Sequence, residues 1–186
     1  AGAAPQSDLE RRSALRRALT ALKTTGRDFQ TARLRDRGWK TIEPGLKSIY
    51  RQNHYWMNRA AVHGSDADFH EWRKRAKFLF YQMQWLIPIC PKRLEKLVEQ
   101  LNELQDDLGA DHDLVVLKSL LRRDRISFGG YSGVRRLVIC IDKRSQRLRK
   151  KCQTSGKTLF AQKPSRFTKK LRNGWKSWKG SGEYRP

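Results

Sequence analysis

Apolar residues recur at spacings of three and four along most of the chain, and the two-residue alternation of a half-buried strand is nearly absent. A 3.6-residue turn brings such positions back to one side, so this period commits the chain to helices that each hide one face. A first helix is expected from Asp8, a ready N-cap, toward Arg35, with Leu9, Leu15, Leu19, Leu22 and Phe29 as its apolar positions. Arg35-Asp36-Arg37-Gly38 reads as a break. A second helix should run from about Thr41, with Pro44 in its first turn, where a missing N–H costs little, and Leu46, Ile49, Tyr50, Met57 and Ala60 as its buried stripe. Gly64-Ser65-Asp66 closes it and opens a third helix, from about Ala67 to Leu86, capped by Ser65 or Asp66. A fourth helix should start at Pro91 with Leu94, Leu97, Val98, Leu101, Leu104 and Leu108 in phase, be interrupted at Gly109, and give way to a second apolar stretch, Leu114 to Leu121. Asp124 to Gly133, rich in Gly and Ser, reads as a surface loop. A fifth helix is expected from about Val134 to Cys152, then a break at Ser155-Gly156 and a last helical stretch through Pro164 to Trp178. The expected fold is all-α, an antiparallel helical bundle over residues 9–179 between tails at 1–8 and 180–186.

Charge decides which partners such a bundle can have. With 41 Lys plus Arg against 18 Asp plus Glu, the chain carries a net charge of +23, which points to a polyanion. Lys143 to Lys179 alone holds fourteen basic residues and no acidic one. Six Trp and seven Phe argue against a disordered polycation. The longest uncharged apolar run, Met83 to Pro91, is too short to span a bilayer, and Ala1 to Pro5 has neither the basic start nor the apolar run of a leader. Three Cys without metal-ligand spacing (Cys90, Cys140, Cys152) suit a reducing cytosol.

The cations are arranged in rows. On the third helix His70, Arg73, Lys74, Lys77 and Tyr81 share one narrow face, while Phe69, Trp72, Ala76, Leu79, Phe80 and Met83 share a broad apolar one. Cations at such spacing repel by roughly 0.2–0.5 kcal/mol per exposed pair, and the one nearby acid, Glu71, falls to the side. A polyanion along the helix would turn that repulsion into attraction. On the second helix Lys47, Arg51, His54 and Asn58 form another row. On the fifth, Arg136, Lys143, Arg147 and Lys150 align opposite Val134, Leu137, Val138, Ile141 and Leu148. If these helices pack by their apolar faces, their polar faces can line a shared groove or channel, a geometry suited to a flexible linear anion held by Arg forks and Lys point charges.

The run His70-Glu71-Trp72-Arg73-Lys74-Arg75-Ala76-Lys77 resembles the H-x-x-R-K-x-x-K signature of the CHAD family, the conserved histidine α-helical domain. Leu101 to Leu114 (LNELQDDLGADHDL) resembles that family's L-x-x-L-x-D-x-L-G-x-x-x-D-L element. Leu159 to Phe167 (LFAQKPSRF) resembles its Y-A-x-K-P-x-x-F closing motif. In this order, the three motifs carry a resemblance over roughly Leu9 to Trp178. It implies a non-catalytic all-helical module that binds inorganic polyphosphate through rows of Arg, Lys and His. The chain is similar to the C-terminal half of a domain built from two four-helix repeats, so it would correspond to one repeat plus C-terminal helices. A second copy or an N-terminal half would complete the channel. Tyr50-Arg51-Gln52-Asn53-His54 departs from the family's Tyr-x-x-Gly-Arg pattern at Asn53 and His54. The resemblance also implies a cytoplasmic protein associated with polyphosphate granules.

Taken singly, His70 is a candidate pH-sensitive phosphate donor, and Arg73, Lys74 and Lys77 are candidate direct contacts. Tyr81 can donate its hydroxyl or pack, and Lys163 can line the channel or serve solubility. Asp113 can orient a cation or cap a helix restarting after Gly109. Asp111-His112-Asp113 is not expected to hold a metal, because side chains adjacent on a helix diverge, and no cofactor is expected. Trp72, Phe80 and Trp85 are expected in the core. The competing function is a basic helical protein binding nucleic acid, without a helix-turn-helix, RNA-binding or zinc motif. An enzyme is not expected, because no P-loop, paired metal-binding carboxylates or activated nucleophile is present in the sequence.

Overall fold

Six α-helices account for nearly all of what the computed structural model describes, residues 8–31 and 38–180. They are α1 (Asp8–Thr31), α2 (Trp39–His63), α3 (Asp66–Leu86), α4 (Pro91–Arg123), α5 (Gly130–Leu159) and α6 (Pro164–Gly180), with a 3-10 turn at Ile87–Ile89. The all-α expectation holds among the described residues. The tails at 1–7 and 181–186, the break expected at 35–37, and the side chains of Leu9 and Phe29 lie outside them.

The chain divides into two units, 1–37 and 38–186. In the first, α1 carries Leu15, Leu19 and Leu22 exposed. In the second, α2, α3, α4 and α5 pack side by side in sequence order, and α6 packs on α2. Short turns between packed neighbours make them antiparallel. The stripes read from the sequence are the core: Leu46, Ile49, Tyr50, Met57 and Ala60 of α2 and Phe69, Trp72, Ala76, Leu79, Phe80 and Met83 of α3 are all buried. Leu94, Leu101, Leu104 and Leu108 of α4 join them. Tyr50 stacks on Phe167 at 4.1 Å and donates its hydroxyl to the Leu159 carbonyl at 3.0 Å, which fastens α6 and the end of α5 to α2.

The α2–α3 junction follows the expected chemistry. Gly64, at φ 63°, takes the left-handed conformation that ends α2. Ser65 then accepts the Asp68 backbone N–H at 3.1 Å and donates to the Asp68 carboxylate at 2.7 Å. Elsewhere glycine misleads. Gly109 does not interrupt α4, which runs unbroken for 33 residues, about 50 Å, so Asp113 caps nothing. Ser155-Gly156 is no break either, because α5 continues to Leu159. A Cβ on Gly156 would come within 2.6 Å of Trp72 Cζ2 and 2.9 Å of Met57 Sδ, so this glycine is where α5 crosses the core tryptophan. α5 also starts early, at Gly130, because Gly129 and Gly130 at positive φ compress the expected loop into a turn closed by Gly130 N–H on the Arg125 carbonyl. α2 begins at Trp39 rather than Thr41, which puts Pro44 inside the helix and leaves the Lys40 carbonyl without its helical donor.

Two expected core residues are outside. Trp85 is 85% exposed, at the edge of a cavity it shares with Ile42 and Leu46, and Leu137 is exposed at 46%. The α4–α5 hairpin instead closes on a small cluster of its own, Leu121, Val134 and Ile141.

Candidate functional site

The third helix presents its cationic row to the fourth. Arg73, Lys77 and Tyr81 form one wall of a 440 Å³ cleft whose other wall is Gln105, Asp106, Gly109, Ala110 and Asp113 of α4. Gly109 lies beneath the guanidinium: a Cβ there would be 3.6 Å from Arg73 Nε, an ordinary van der Waals contact. Lys77 Nζ sits 5.8 Å from the centroid of the Tyr81 ring, a cation–π arrangement that leaves the ammonium free to bond elsewhere. Among the described residues neither Arg73 nor Lys77 has an ion pair. Asp106 accepts from Asn102 at 3.0 Å, and among the described residues Asp113 has no hydrogen-bond or ion-pair partner. The cleft therefore holds two unpaired cations facing two carboxylates across a solvent gap.

Lys74 pairs with Glu71, which also receives Arg75 at 3.3 Å. The Lys74 hydrogen bond, aided by the Arg75 charge, holds the Glu71 carboxyl below its usual range. Glu71 does not merely fall to the side of the row, as the sequence reading has it; it neutralises the row's upper end.

His70 is half-buried at the rim, its ring 4.7 Å from that of His112 on α4. Its Nδ1 is buried with no hydrogen-bond partner. Burial first, then the neighbouring His112, Lys74 and Arg73 charges, push its pKa down, opposed by Glu71. These influences favour the neutral imidazole, with Nε2 as its remaining polar atom.

The residues of Asp111-His112-Asp113 go three ways. Asp113 enters the cleft, His112 lies on His70, and Asp111 is buried in an ion pair with Arg149. Arg149, passed over by the sequence reading, donates Nε to Asp111 at 3.0 Å, Nη1 to the Gly64 carbonyl at 2.8 Å and Nη2 to Asp66 at 2.5 Å, and lies over Phe69. Ser145 donates to the same Asp111. This cluster clamps α5 and α4 to the α2–α3 turn, and breaking such a buried pair typically costs about 3–5 kcal/mol. Among the described residues no three His, Cys, Asp or Glu side chains are grouped to hold a metal.

The other rows do not enter this cleft. Arg51, His54 and Asn58 rim a separate 420 Å³ cavity lined by α2 residues alone, with His54 Nδ1 bonded to Asn58 at 3.3 Å and Lys47 exposed further along. Asn53 points inward, donating to the Ile49 carbonyl at 3.0 Å and the Arg75 carbonyl at 2.9 Å, so its departure from the family pattern is a bond between α2 and α3. Arg136, Lys143, Arg147 and Lys150 are exposed along α5. Lys163 is exposed between α5 and α6, where its carbonyl accepts the Arg166 and Phe167 N–H groups that open α6.

Residues 3–122 match the CHAD domain family, so α5, α6 and the 159–167 segment lie beyond the matched stretch. No curated protein and no solved structure matches the chain.

Proposed function

Because the chain belongs to the CHAD domain family, we propose that it is a non-catalytic binding module for inorganic polyphosphate, with the α3–α4 cleft as its principal contact. One observation carries the reading. Among the described residues Arg73 and Lys77 stand without carboxylate partners in a cleft lined also by Tyr81, an arrangement that a chain of phosphates can satisfy with a guanidinium fork, an ammonium and a phenol. His70, at the rim, adds a donor once an anion favours its protonated form. The rows at Lys47, Arg51 and His54, at Arg136, Lys143, Arg147 and Lys150, and at Lys163 serve in this reading as further stations for a long chain. A cytoplasmic location, with association to polyphosphate granules, goes with it. Among the described residues no helix is long and apolar enough to cross a membrane.

The Leu15, Leu19 and Leu22 stripe of α1, between 57% and 69% exposed, supports a second copy or a further half of the domain covering it and completing a channel. The deciding experiment is competition of long-chain polyphosphate against RNA and DNA at fixed salt, because counterion release makes every polyanion bind at low ionic strength. The reading holds if polyphosphate displaces both nucleic acids at equal phosphate concentration. Preferential retention of RNA or DNA would replace it with nucleic-acid binding.

A further inference from the structure

A second cationic cleft lies where the start of α4, the end of α5 and α6 meet. Its volume is 210 Å³, less than the roughly 300–1,000 Å³ of a drug-sized pocket. Arg93, Lys96 and Lys170 stand on its rim, and no carboxylate lines it. None of the three has an ion pair among the described residues. Half-buried Lys170 has its ammonium pushed down by burial and by the Arg93 and Arg166 charges, which places it in the field of two further cations. Arg93 lies in the first turn of α4, whose N-cap Cys90 supplies no side-chain hydrogen bond, so the positive end of that helix adds to the field.

The floor is different in kind. Leu94, Leu159, Phe167 and Leu171 present the edge of the core, with half-buried Leu97 beside them. The Gln100 and Gln162 amides lie between floor and rim. A bare phosphate chain could use the rim but would leave this floor uncovered. A ligand with both a flat apolar ring and phosphates would use both.

We propose that this cleft binds a phosphate-bearing nucleobase compound, its ring against half-buried Leu97 at the edge of the apolar floor and its phosphates on Arg93, Lys96 and Lys170. On α4, Arg93, Lys96, Leu97 and Gln100 point about 175° away from Gln105, Asp106, Gly109 and Asp113, at 100° per residue. The second cleft therefore opens on the opposite side of α4 from the polyphosphate cleft and does not depend on it. The same chemistry is offered by a free nucleotide and by a strand of nucleic acid. The assignment is to the free nucleotide, because the 210 Å³ cleft has a single apolar floor and no second one for a neighbouring base.

The test is calorimetric titration of the full chain at fixed, near-physiological salt with ATP, tripolyphosphate, adenosine and an oligo-dA strand. ATP should bind at least about tenfold more tightly than tripolyphosphate or adenosine, as the loss of either the ring or the charge-assisted bonds predicts. Lys96→Gln with Lys170→Gln should weaken ATP binding by about tenfold or more. Leu97→Gln should weaken ATP but not tripolyphosphate, and Arg73→Gln with Lys77→Gln should leave ATP unchanged. All these side chains are at least partly solvent-exposed, and far-ultraviolet circular dichroism checks that the variants fold. Equal binding of tripolyphosphate and ATP would overturn the proposal, as would an equal loss from the α3 double change. An oligo-dA strand binding through Lys96 and Lys170 more tightly than ATP would overturn the free-nucleotide assignment.

Discussion

Replacing Arg73 and Lys77 together by Gln tests the α3–α4 cleft with little disturbance to the fold. Lys77 is exposed, Arg73 is half-buried against Gly109, and neither sits in an ion pair, so no carboxylate is left stranded. Each is proposed to make a charge-assisted hydrogen bond to phosphate, at about 1.5–3 kcal/mol apiece. At 1.4 kcal/mol per factor of ten, each loss alone weakens polyphosphate binding roughly 10- to 100-fold. The double change should exceed the larger single effect. Lys74→Gln should cost less than either single change in the cleft, because the Glu71 carboxylate already offsets the Lys74 charge. The assay is fluorescence anisotropy with end-labelled long-chain polyphosphate at fixed salt, with unfolding in urea run in parallel. Lys176→Gln with Lys179→Gln on α6 removes the same charge from exposed positions and serves as control. If the control weakens binding as much as the α3 double change, or if Lys74→Gln alone equals the double, the cleft geometry has no part in binding.

Asp113→Asn should tighten polyphosphate severalfold, because it removes an unpaired carboxylate from the wall facing Arg73 and Lys77; no change in affinity would mean the anion never enters the cleft. Because burial and neighbouring charge depress His70 from its ordinary 6.5, its contribution to stability is complete above that pH and is lost as pH falls from 6.5 toward the depressed folded value; His70→Gln should flatten that part of the stability–pH curve. Polyphosphate reverses the local field, so binding near pH 6 should take up protons, measurable by calorimetry in buffers of different ionisation enthalpy, and the uptake should shrink in His70→Gln. Gly156→Ala should destabilise by about 1–3 kcal/mol in urea unfolding, since its Cβ would overlap the Trp72 indole; a neutral result would show that the crossing of α5 over Trp72 relaxes freely.

The buried faces of α2 and α3 were legible because each repeats along a single helix, and a face of one helix is a local property of sequence. The Ser65 cap was legible for the same reason. Glycine was not. Gly109 and Gly156 carry the composition of a helix break, yet both lie inside continuous helices. At Gly156 the partner helix supplies the reason, because the Trp72 indole leaves no room for a Cβ. The His70–His112 contact joins residues 42 positions apart, and nothing in the periodicity of either helix announces it. Each of the three basic rows follows a single helix, but their convergence on one groove is an inference about packing. The structure gives α3 a cleft with α4 and α2 a separate cavity. Arg149 looked like one more cation of a basic helix. Its role depends on Asp111, Asp66 and the Gly64 carbonyl, which come from three different places in the chain.

A polyanion site that keeps Asp106 and Asp113 in its wall needs a physical account, because both carboxylates oppose the ligand. With no anion bound, Arg73 and Lys77 would otherwise face each other and half-buried His70 with nothing to screen them. Carboxylates across a solvent gap soften that repulsion without closing onto the cations, since an ion pair would have to be broken before phosphate could bind. The repulsion they add is met once, by whichever phosphates occupy the cleft, and at an effective dielectric of about 20–80 it amounts to about 1–4 kcal/mol per pair of charges 4 Å apart, less at greater separation. A triphosphate meets that repulsion with few contacts to offset it. A long chain meets the same repulsion and goes on to reach cations that its neighbours leave unpaired, Lys47 and Arg51 on α2 and the exposed row of α5. In the proposed function, the mixed charge of the cleft is therefore a filter for chain length: it penalises the first few phosphates and leaves selectivity to the cations beyond them.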